Sequence, residues 1–284
     1  MPTQKDFMTD IKPTWCPGCG NFGMWTALTQ ALSELGLEPF EVAMVFDIGC
    51  NGNGANWHRL YGFHSLHGRT LPVATAIKLA NHGLTVLASS GDGGGYGEGG
   101  NHFLHACRRN ADLTYIVHNN ERYSLTTGQT SPTTKIGQKT KTAIQGSQEY
   151  PLNGLQIALT AGATFVARGF ADEVSHLKDL YKQAIKHSGF AVVEVLQPCV
   201  VFFDQKNIRD TYRSKIYKLE QSWPVMDRLT AYKKAGETER LPIGVFFKEE
   251  RPTFESQQPT IQKVPLARQT IGKINLQPFL KEFR

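Results

Sequence analysis

This sequence of 284 residues lacks the features of membrane proteins and of disulfide-dense secreted proteins. No apolar stretch approaches the roughly 18 residues of a membrane-spanning helix, and the run at 83–88 suits one buried strand. Cysteine is scarce, with five residues, which excludes a disulfide-dense secreted scaffold. The first six residues also lack the apolar segment of a signal peptide. We therefore expect a cytoplasmic protein without a membrane segment.

Charge of one sign is not concentrated anywhere along the chain. The 31 Lys and Arg residues exceed the 25 Asp and Glu residues by six, but only Arg108-Arg109 and Lys233-Lys234 are adjacent basic pairs. No basic run contains interleaved aromatic residues, so the pattern argues against nucleic-acid binding. A diffuse positive charge more often reflects an acidic protein partner, or has no specific meaning.

The apolar residues, 40% of the chain, are arranged in short runs that alternate with helical patterns. We predict strands at 41–46, 85–88, 114–117, 164–167 and 191–195. Their nearly continuous apolar character is typical of a parallel sheet that is covered by helices on both faces. Thr70 and Asp172 are predicted to cap two of the intervening helices, and Gly36 and Gly83 to follow the ends of two. The pattern predicts a doubly wound, mainly parallel α/β sheet.

Two stretches depart from this alternation. Residues 121–150 are polar and without periodicity, and a loop of this length in a compact domain is usually functional or disordered. From 236 onward the chain carries five of its 14 prolines and loses the strand–helix rhythm. We predict an α/β domain at 1–235 and an irregular C-terminal extension at 236–284 that packs against a partner subunit.

A glycine-rich turn at 90–100 follows a predicted strand and opens a helix. Backbone N–H groups in such a turn bind phosphate, but Asp92, inside Gly91-Asp92-Gly93, would repel it unless a cation lay between them. The turn therefore indicates a diphosphate bridged by Mg²⁺. The next strand ends at Asn119-Asn120, on the same edge of a parallel sheet, and Arg122 can offer a main-chain carbonyl. The alternative is that these residues are only strand-end caps.

The spacing from Gly91-Asp92-Gly93 to Asn119-Asn120 resembles the thiamine diphosphate motif. In that superfamily the Asp, the second Asn and a main-chain carbonyl two residues later hold Mg²⁺. By this resemblance the ligands are Asp92, Asn120 and the main chain of Arg122.

Four of the five cysteines lie where a parallel sheet would bring them to this same edge. Cys16 and Cys19 form a C-x-x-C turn, and Cys50 and Cys199 follow predicted strands. Four thiolates fit either zinc or an iron–sulfur cluster. A redox cluster beside a carbanion-forming cofactor could accept its electrons, which favours iron–sulfur. The fifth, Cys107, lies on an apolar helix face and is predicted to be a core residue.

Together these features resemble the β subunit of the 2-oxoacid:ferredoxin oxidoreductases. The resemblance rests on the segments 15–20, 47–50, 67–75, 105–110 and 128–134. It implies that Cys16, Cys19, Cys50 and Cys199 bind a [4Fe-4S] cluster. It also implies that the thiamine site is lined by Ile48, Gly49, Cys50, His67, Gly68, Gly91, Asp92, Gly93, Asn120, Leu125 and Thr126.

The resemblance further implies the reaction and its partners. A 2-oxoacid is decarboxylated with thiamine diphosphate, coenzyme A takes the acyl group, and ferredoxin receives the electrons through the cluster. General resemblance favours 2-oxoglutarate as substrate, with pyruvate next. No glutamate in this chain matches the one that activates thiamine, so we expect it on an α subunit, in an αβ or α2β2 assembly, and no turnover by this chain alone.

Two departures and two alternative functions accompany this interpretation. Gly94 stands where many members of the family have Asp, and Thr127 stands where Gly is common. One alternative is a non-redox thiamine-dependent decarboxylase with zinc on the cysteines, and the other is a non-catalytic electron carrier or scaffold. We expect His64 to be structural, and Arg69 to pair either with a substrate carboxylate or with the partner.

Overall fold

The computed structural model describes residues 1–203, 207–270, 272 and 275–283. Its ten strands are β1 Val42–Phe46, β2 Tyr61–His64, β3 Thr85–Gly91, β4 Leu113–Asn119, β5 Arg122–Tyr123, β6 Gln129–Thr130, β7 Phe165–Phe170, β8 Phe190–Leu196, β9 Ile216–Lys218 and β10 Leu241–Lys248. The eight helices are α1 Asn21–Glu34, α2 Thr70–Ala80, α3 Gly100–Arg109, α4 Gly154–Ala161, α5 Val174–Lys186, α6 Ile208–Lys215, α7 Arg228–Ala235 and α8 Gln277–Lys281. A π-helical turn, Gly93–Glu98, precedes α3.

Eight of the strands form one sheet in the order β2-β1-β3-β4-β8-β7-β10-β9. Neighbouring strands run parallel, apart from the antiparallel pair of β7 and β10. Because β1, β3 and β4 are parallel neighbours, their carboxyl ends lie together at one edge, and the strand order reverses between β1 and β3. The predicted doubly wound, mainly parallel sheet is confirmed.

Two apolar cores explain why the central strands read as continuous apolar runs. One core joins the sheet to α2, α3, α4 and α7 through residues such as Leu71, Phe103 and Leu155. The other joins the opposite face to α1 and α5 through residues such as Leu28 and Leu177. Cys107 is completely buried in the first core, as predicted.

Three strands of the main sheet were not predicted. β2 lies at the sheet edge with all four residues exposed, so it has no apolar signature. β9 has three residues, and β10 contains Pro242 and Gly244, which are typical of loops. The two predicted helix caps are wrong: α2 begins at Thr70, whose hydroxyl accepts a hydrogen bond from Ser90, and α5 follows Glu173.

The predicted boundary at 235 does not coincide with the end of the sheet. β10 lies inside the sheet and buries Ile243, Phe246 and Phe247, because it pairs with the buried strand β7. The next residues also pack on this chain, since Asn110 donates to the Arg251 carbonyl. Beyond β10 the described backbone is irregular apart from short 3-10 turns at 255–257 and 266–268 and the helix α8.

The polar segment 121–150 folds over the carboxyl edge of the sheet. Its first part is the hairpin of β5 and β6. Its second part is closed by two main-chain hydrogen bonds, from the Gly137 N–H to the Ser147 carbonyl and from the Ser147 N–H to the Gln138 carbonyl. Within the described ranges, no helix has the length and apolar character needed to span a bilayer.

Candidate active site

A cleft opens at the carboxyl edge of the sheet, where the chain leaves β1, β3 and β4. It is lined by ten of the predicted cofactor and metal residues: Ile48, Gly49, Cys50, His67, Gly91, Gly93, Asn120, Arg122, Leu125 and Thr126. Asn51, which follows Cys50 and was expected to lie where it could face the substrate, also lines it. His118, Tyr123 and Gln197 line it as well and were not predicted. The structure therefore brings together residues from five separate segments of the sequence.

Asp92 and Gly68 do not line the cleft. Asp92 is fully buried beside it, and its Oδ2 atom accepts hydrogen bonds from the hydroxyls of Ser131 and Thr133, both at 2.5 Å. Burial raises the pKa of Asp92 to about 6, although the two hydroxyls oppose this shift. The segment 128–134 is part of the family resemblance, but no role was predicted for Ser131 or Thr133.

The turn after β4 presents the other predicted metal ligands. The main-chain N–H of Asn120 lies 3.4 Å from Asp92 Oδ1, and Asn120 Oδ1 accepts a hydrogen bond of 3.0 Å from the N–H of Arg122. Glu121, between them, has a φ of 57°, a left-handed conformation that is unusual for a non-glycine residue. Its carboxylate accepts a hydrogen bond from Tyr212 on α6. Helix α6 thus supports the turn that carries Asn120 and Arg122.

The lack of side chains at Gly93 and Gly94 allows the close packing around the cleft. A Cβ atom at Gly93 would collide with the Tyr123 ring, and one at Gly94 would collide with the Asp47 carboxylate. The Gly94 collision also explains the departure from the Gly-Asp-Gly-Asp pattern, because this chain has no space for a side chain there.

Asp47, at the end of β1, is a buried acidic residue that sequence reasoning did not place in the site. Its Oδ1 accepts main-chain hydrogen bonds of 2.8 Å from Ile48 and Gly68, and burial raises its pKa. The Nδ1 atom of His67 lies 3.8 Å from Asp47 and 3.6 Å from Glu98. One wall of the cleft is therefore an imidazole between two carboxylates.

His64 and Arg69, whose roles were open, both contact main-chain oxygens. The Nε2 atom of His64 lies 3.1 Å from the carbonyl of Asp47, which fits a structural role. Arg69 donates to the carbonyl of Glu98 at 3.0 Å.

The four cysteines gather at the same edge. The N–H of Cys19 donates to the Cys16 carbonyl at 2.9 Å, which closes the C-x-x-C turn. Burial, together with smaller contributions from the nearby Cys19, Cys199 and Cys16, raises the pKa of Cys50 to about 12. The residues described contain no group of three or more His, Cys, Asp or Glu side chains placed to hold a metal ion. The thiols are thus close enough to affect each other's ionisation without forming a ligand cage.

Comparison with known proteins gives two family matches along this chain. Residues 47–195 match the C-terminal TPP binding domain of the thiamine pyrophosphate enzymes. Residues 199–263 match the C-terminal part of the β chain of pyruvate ferredoxin oxidoreductase. The first match contains Asp92 and every residue that lines the cleft except Gln197, and the second begins at Cys199.

Individual relatives agree with this assignment. The chain is 46% identical to the 2-oxoacid:ferredoxin oxidoreductase subunit beta of Saccharolobus solfataricus over 250 residues, covering 83% of this chain and 82% of the relative. It is 42% identical to the 2-oxoglutarate synthase subunit KorB of Archaeoglobus fulgidus, covering 67% and 72%. A solved structure, the 2-oxoglutarate:ferredoxin oxidoreductase from Magnetococcus marinus with 2-oxoglutarate, coenzyme A and succinyl-CoA bound, aligns with a TM-score of 0.91 and 32% identity, covering 100% of this chain and 96% of that chain. This chain therefore belongs to the family of 2-oxoacid:ferredoxin oxidoreductase β subunits, and its residues 47–195 are a thiamine diphosphate-binding domain.

Proposed function

We propose that this chain, with an α subunit, oxidatively decarboxylates 2-oxoglutarate to succinyl-CoA and CO₂ and passes the electrons through a [4Fe-4S] cluster to ferredoxin. The observation that carries the proposal is the position of Cys50. Its side chain belongs to the four-cysteine group and it also lines the cofactor cleft. A redox centre held there would lie beside the place where a 2-oxoacid is decarboxylated.

The residues around the cleft fit thiamine diphosphate. Gly91 and Gly93 place main-chain N–H groups at the start of a helical turn, where a diphosphate binds favourably. Leu125 and Thr126 line the cleft from the opposite loop. When bound, thiamine diphosphate supplies the carbanion chemistry that releases CO₂ from a 2-oxoacid. The work of this chain is to orient the cofactor and to exclude water from it.

The oxygen donors near the diphosphate turn suit Mg²⁺. Asp92 offers a carboxylate and Asn120 an amide oxygen, which are ligands of the hard type that Mg²⁺ prefers. The buried position of Asp92 supports this assignment, because a buried carboxylate is stabilised by a bound cation. The main-chain carbonyl of Arg122 is the third proposed ligand.

The donor set of Cys16, Cys19, Cys50 and Cys199 fits an iron–sulfur cluster. Four thiolates so close together repel one another, and a positively charged metal centre removes that repulsion. Gln197 donates a hydrogen bond of 3.3 Å to the Cys19 sulfur, a contact of the kind that tunes cluster potentials. A [4Fe-4S] cluster at these thiolates would supply a one-electron acceptor beside the cleft.

The substrate and the partners follow from the relatives. The KorB relative from A. fulgidus is named a 2-oxoglutarate synthase subunit, and the M. marinus structure contains 2-oxoglutarate, coenzyme A and succinyl-CoA. We therefore place 2-oxoglutarate ahead of pyruvate. The subunit names imply an α partner, to which we assign the thiamine-activating glutamate. We propose the cytoplasm as the compartment.

The test is anaerobic co-purification with the α subunit, followed by ferredoxin reduction assays with coenzyme A and a panel of 2-oxoacids. We expect the highest kcat/KM with 2-oxoglutarate, and no turnover by this chain alone. Asp92→Ala and Asn120→Ala should abolish Mg²⁺-dependent thiamine diphosphate binding. Asp179→Ala, an exposed change on α5, is the matched control and should leave binding intact.

Two outcomes would contradict the proposal. Release of CO₂ without ferredoxin reduction, from a colourless zinc-containing complex, would indicate the non-redox decarboxylase. Full activity of the Asp92→Ala variant would indicate that the cleft does not hold the cofactor.

A further inference from the structure

A chain of hydrogen bonds beneath the cleft connects Asp92 to a buried ion pair. Arg168 on β7 and Glu194 on β8 lie opposite each other, with Arg168 Nε 3.0 Å from Glu194 Oε1, and both are almost completely buried. The other carboxylate oxygen of Glu194 accepts hydrogen bonds from the Tyr96 hydroxyl at 3.0 Å and from Asn119 Nδ2 at 3.2 Å. The first strand-end asparagine is therefore anchored to a buried charge.

Glu194 fixes the orientation of the Asn119 amide. A carboxylate only accepts hydrogen bonds, so the edge of Asn119 that faces Glu194 must be its NH₂ group. The amide carbonyl then faces the opposite way, where it lies 3.0 Å from the hydroxyl of Thr133. A flipped amide would place two oxygens 3.2 Å apart at Glu194 without a proton between them.

Thr133 thus has one proton and two close acceptors, while Ser131 Oγ, itself a donor to Asp92, lies farther away at 3.3 Å. Its hydroxyl oxygen lies 2.5 Å from Asp92 Oδ2 and 3.0 Å from Asn119 Oδ1. A threonine hydroxyl has a single O–H, so it can donate to only one of them at a time. The carboxylate is the stronger acceptor while it carries its full charge.

We propose that Asn119 is a positioning residue for the metal site, because it competes with Asp92 for the single proton of Thr133. When a divalent cation neutralises Asp92, the hydroxyl turns to the Asn119 carbonyl, and the carboxylate is released without leaving Thr133 unsatisfied. Glu194 serves this exchange by holding the Asn119 carbonyl in place. The inference rests on the proposed function, since it takes Asp92 as a ligand of Mg²⁺.

The competition predicts opposite effects for two substitutions. In Asn119→Ala, Thr133 loses its close alternative to Asp92 and keeps Ser131 Oγ at 3.3 Å, so Mg²⁺ must break a hydrogen bond that a longer and weaker one replaces, and its affinity falls by about fivefold to tenfold. In Thr133→Val, Asp92 no longer accepts a hydrogen bond from residue 133. We therefore expect Mg²⁺ to bind as tightly as in the wild type or a few-fold more tightly. The double variant should match Thr133→Val, because Asn119 acts only through that hydroxyl.

The experiment is a calorimetric titration of thiamine diphosphate into the Mg²⁺-stripped αβ complex at a series of fixed MgCl₂ concentrations, and the MgCl₂ concentration that gives half-maximal cofactor binding reports the Mg²⁺ affinity. Thr133→Ser retains a hydroxyl. Asn119→Ala should therefore lower the Mg²⁺ affinity in the Thr133→Ser background, as it does in the wild type. Thr29→Val removes another buried threonine hydroxyl, on α1, and is the matched control that should leave Mg²⁺ affinity unchanged. Thermal unfolding of each complex reports whether the variants fold.

The outcomes separate the inference from the function on which it rests. If the wild-type complex binds thiamine diphosphate without any need for Mg²⁺, the proposed function fails. If the wild type needs Mg²⁺ but Thr133→Val weakens its binding as much as Asn119→Ala does, Thr133 only supports Asp92 and the competition is refuted. Should Asn119→Ala fail to fold, the comparison of Thr133→Val with Thr133→Ser still decides, since only the inference predicts that Val does not weaken binding.

Discussion

Replacing Gly94 by alanine tests the packing of the cleft wall. Gly94 is buried, and a Cβ atom there would collide with the Asp47 carboxylate and lie 2.9 Å from His67 Nδ1. Asp47 cannot move away easily, because the main-chain N–H groups of Ile48 and Gly68 hold it at 2.8 Å. The φ of Gly94 lies outside the left-handed region, so the effect is steric. Overpacking by one methyl group in such a site lowers the free energy of unfolding by about 1–3 kcal/mol, and we expect the upper part of this range.

The assay is urea unfolding of the full chain, with Gly100→Ala as the matched control. No atom lies within 4 Å of a Cβ built at Gly100, the first residue of α3, so that change should be neutral or stabilise by up to about 1 kcal/mol. In the Gly94→Ala background, Asp47→Ala should cost less than it does alone, because it removes the collision. Equal stability of the Gly94 and Gly100 variants would refute the reasoning.

Three further predictions concern the loop, the buried histidines and α6. Thr127 has a φ of 85°, a left-handed conformation that is strained for a β-branched residue. Thr127→Gly should therefore raise the free energy of unfolding by about 1 kcal/mol, and Thr127→Ala should raise it by less. A loss of stability in Thr127→Gly would contradict this. Burial lowers the pKa of His58 to about 4 and of His118 to about 3, so each takes up its proton on unfolding. Their contribution to stability is complete above about pH 6.5 and is lost as the pH falls toward those values, at up to about 1.4 kcal/mol per pH unit for each. Urea unfolding of His118→Gln should show a smaller slope of stability against pH than the wild type, and equal slopes would exclude this assignment. Tyr212→Phe removes the hydrogen bond to Glu121 and should weaken Mg²⁺-dependent thiamine diphosphate binding by about fivefold or more in calorimetry, whereas Tyr217→Phe, which loses a hydrogen bond to Glu237, should not.

The sheet could be predicted where burial on both faces leaves a continuous apolar run. The five predicted strands correspond to β1, β3, β4, β7 and β8, which occupy the middle of the sheet. The strands toward its ends could not be predicted from the same signal. β2 has four exposed residues, and β10 contains a proline.

The helix caps illustrate how tertiary contacts override a local pattern. Asp172 is a favourable capping residue, but its carboxylate is taken by Arg209 and Arg213, about forty positions later in the chain. Thr70 likewise meets Ser90 across the core instead of capping its own helix. Neither contact has a signature in the neighbouring sequence.

The candidate site could be predicted where a spacing motif identifies it. The motif residues Gly91, Gly93 and Asn120 line one cleft, with Asp92 buried beside it, as the spacing indicates. Asp47 and Thr133 could not be found in this way. In the sequence, Asp47 is an ordinary acidic residue at the end of a strand, and only the fold places it beside His67. Thr133 is one of many hydroxyl residues in a polar segment, and only the fold places it beside Asp92.

We propose above that Cys50 binds an iron–sulfur cluster at the wall of the cofactor cleft. The most direct measurement is the iron and acid-labile sulfide content of the anaerobically purified αβ complex, compared between Cys50→Ala and Cys107→Ala. Cys107 is the buried core cysteine, so its variant controls for the loss of a thiol as such. We expect iron and sulfide in the wild type and in Cys107→Ala, with both lost from Cys50→Ala. Zinc without sulfide in the wild type, or equal cluster content in the two variants, would contradict it.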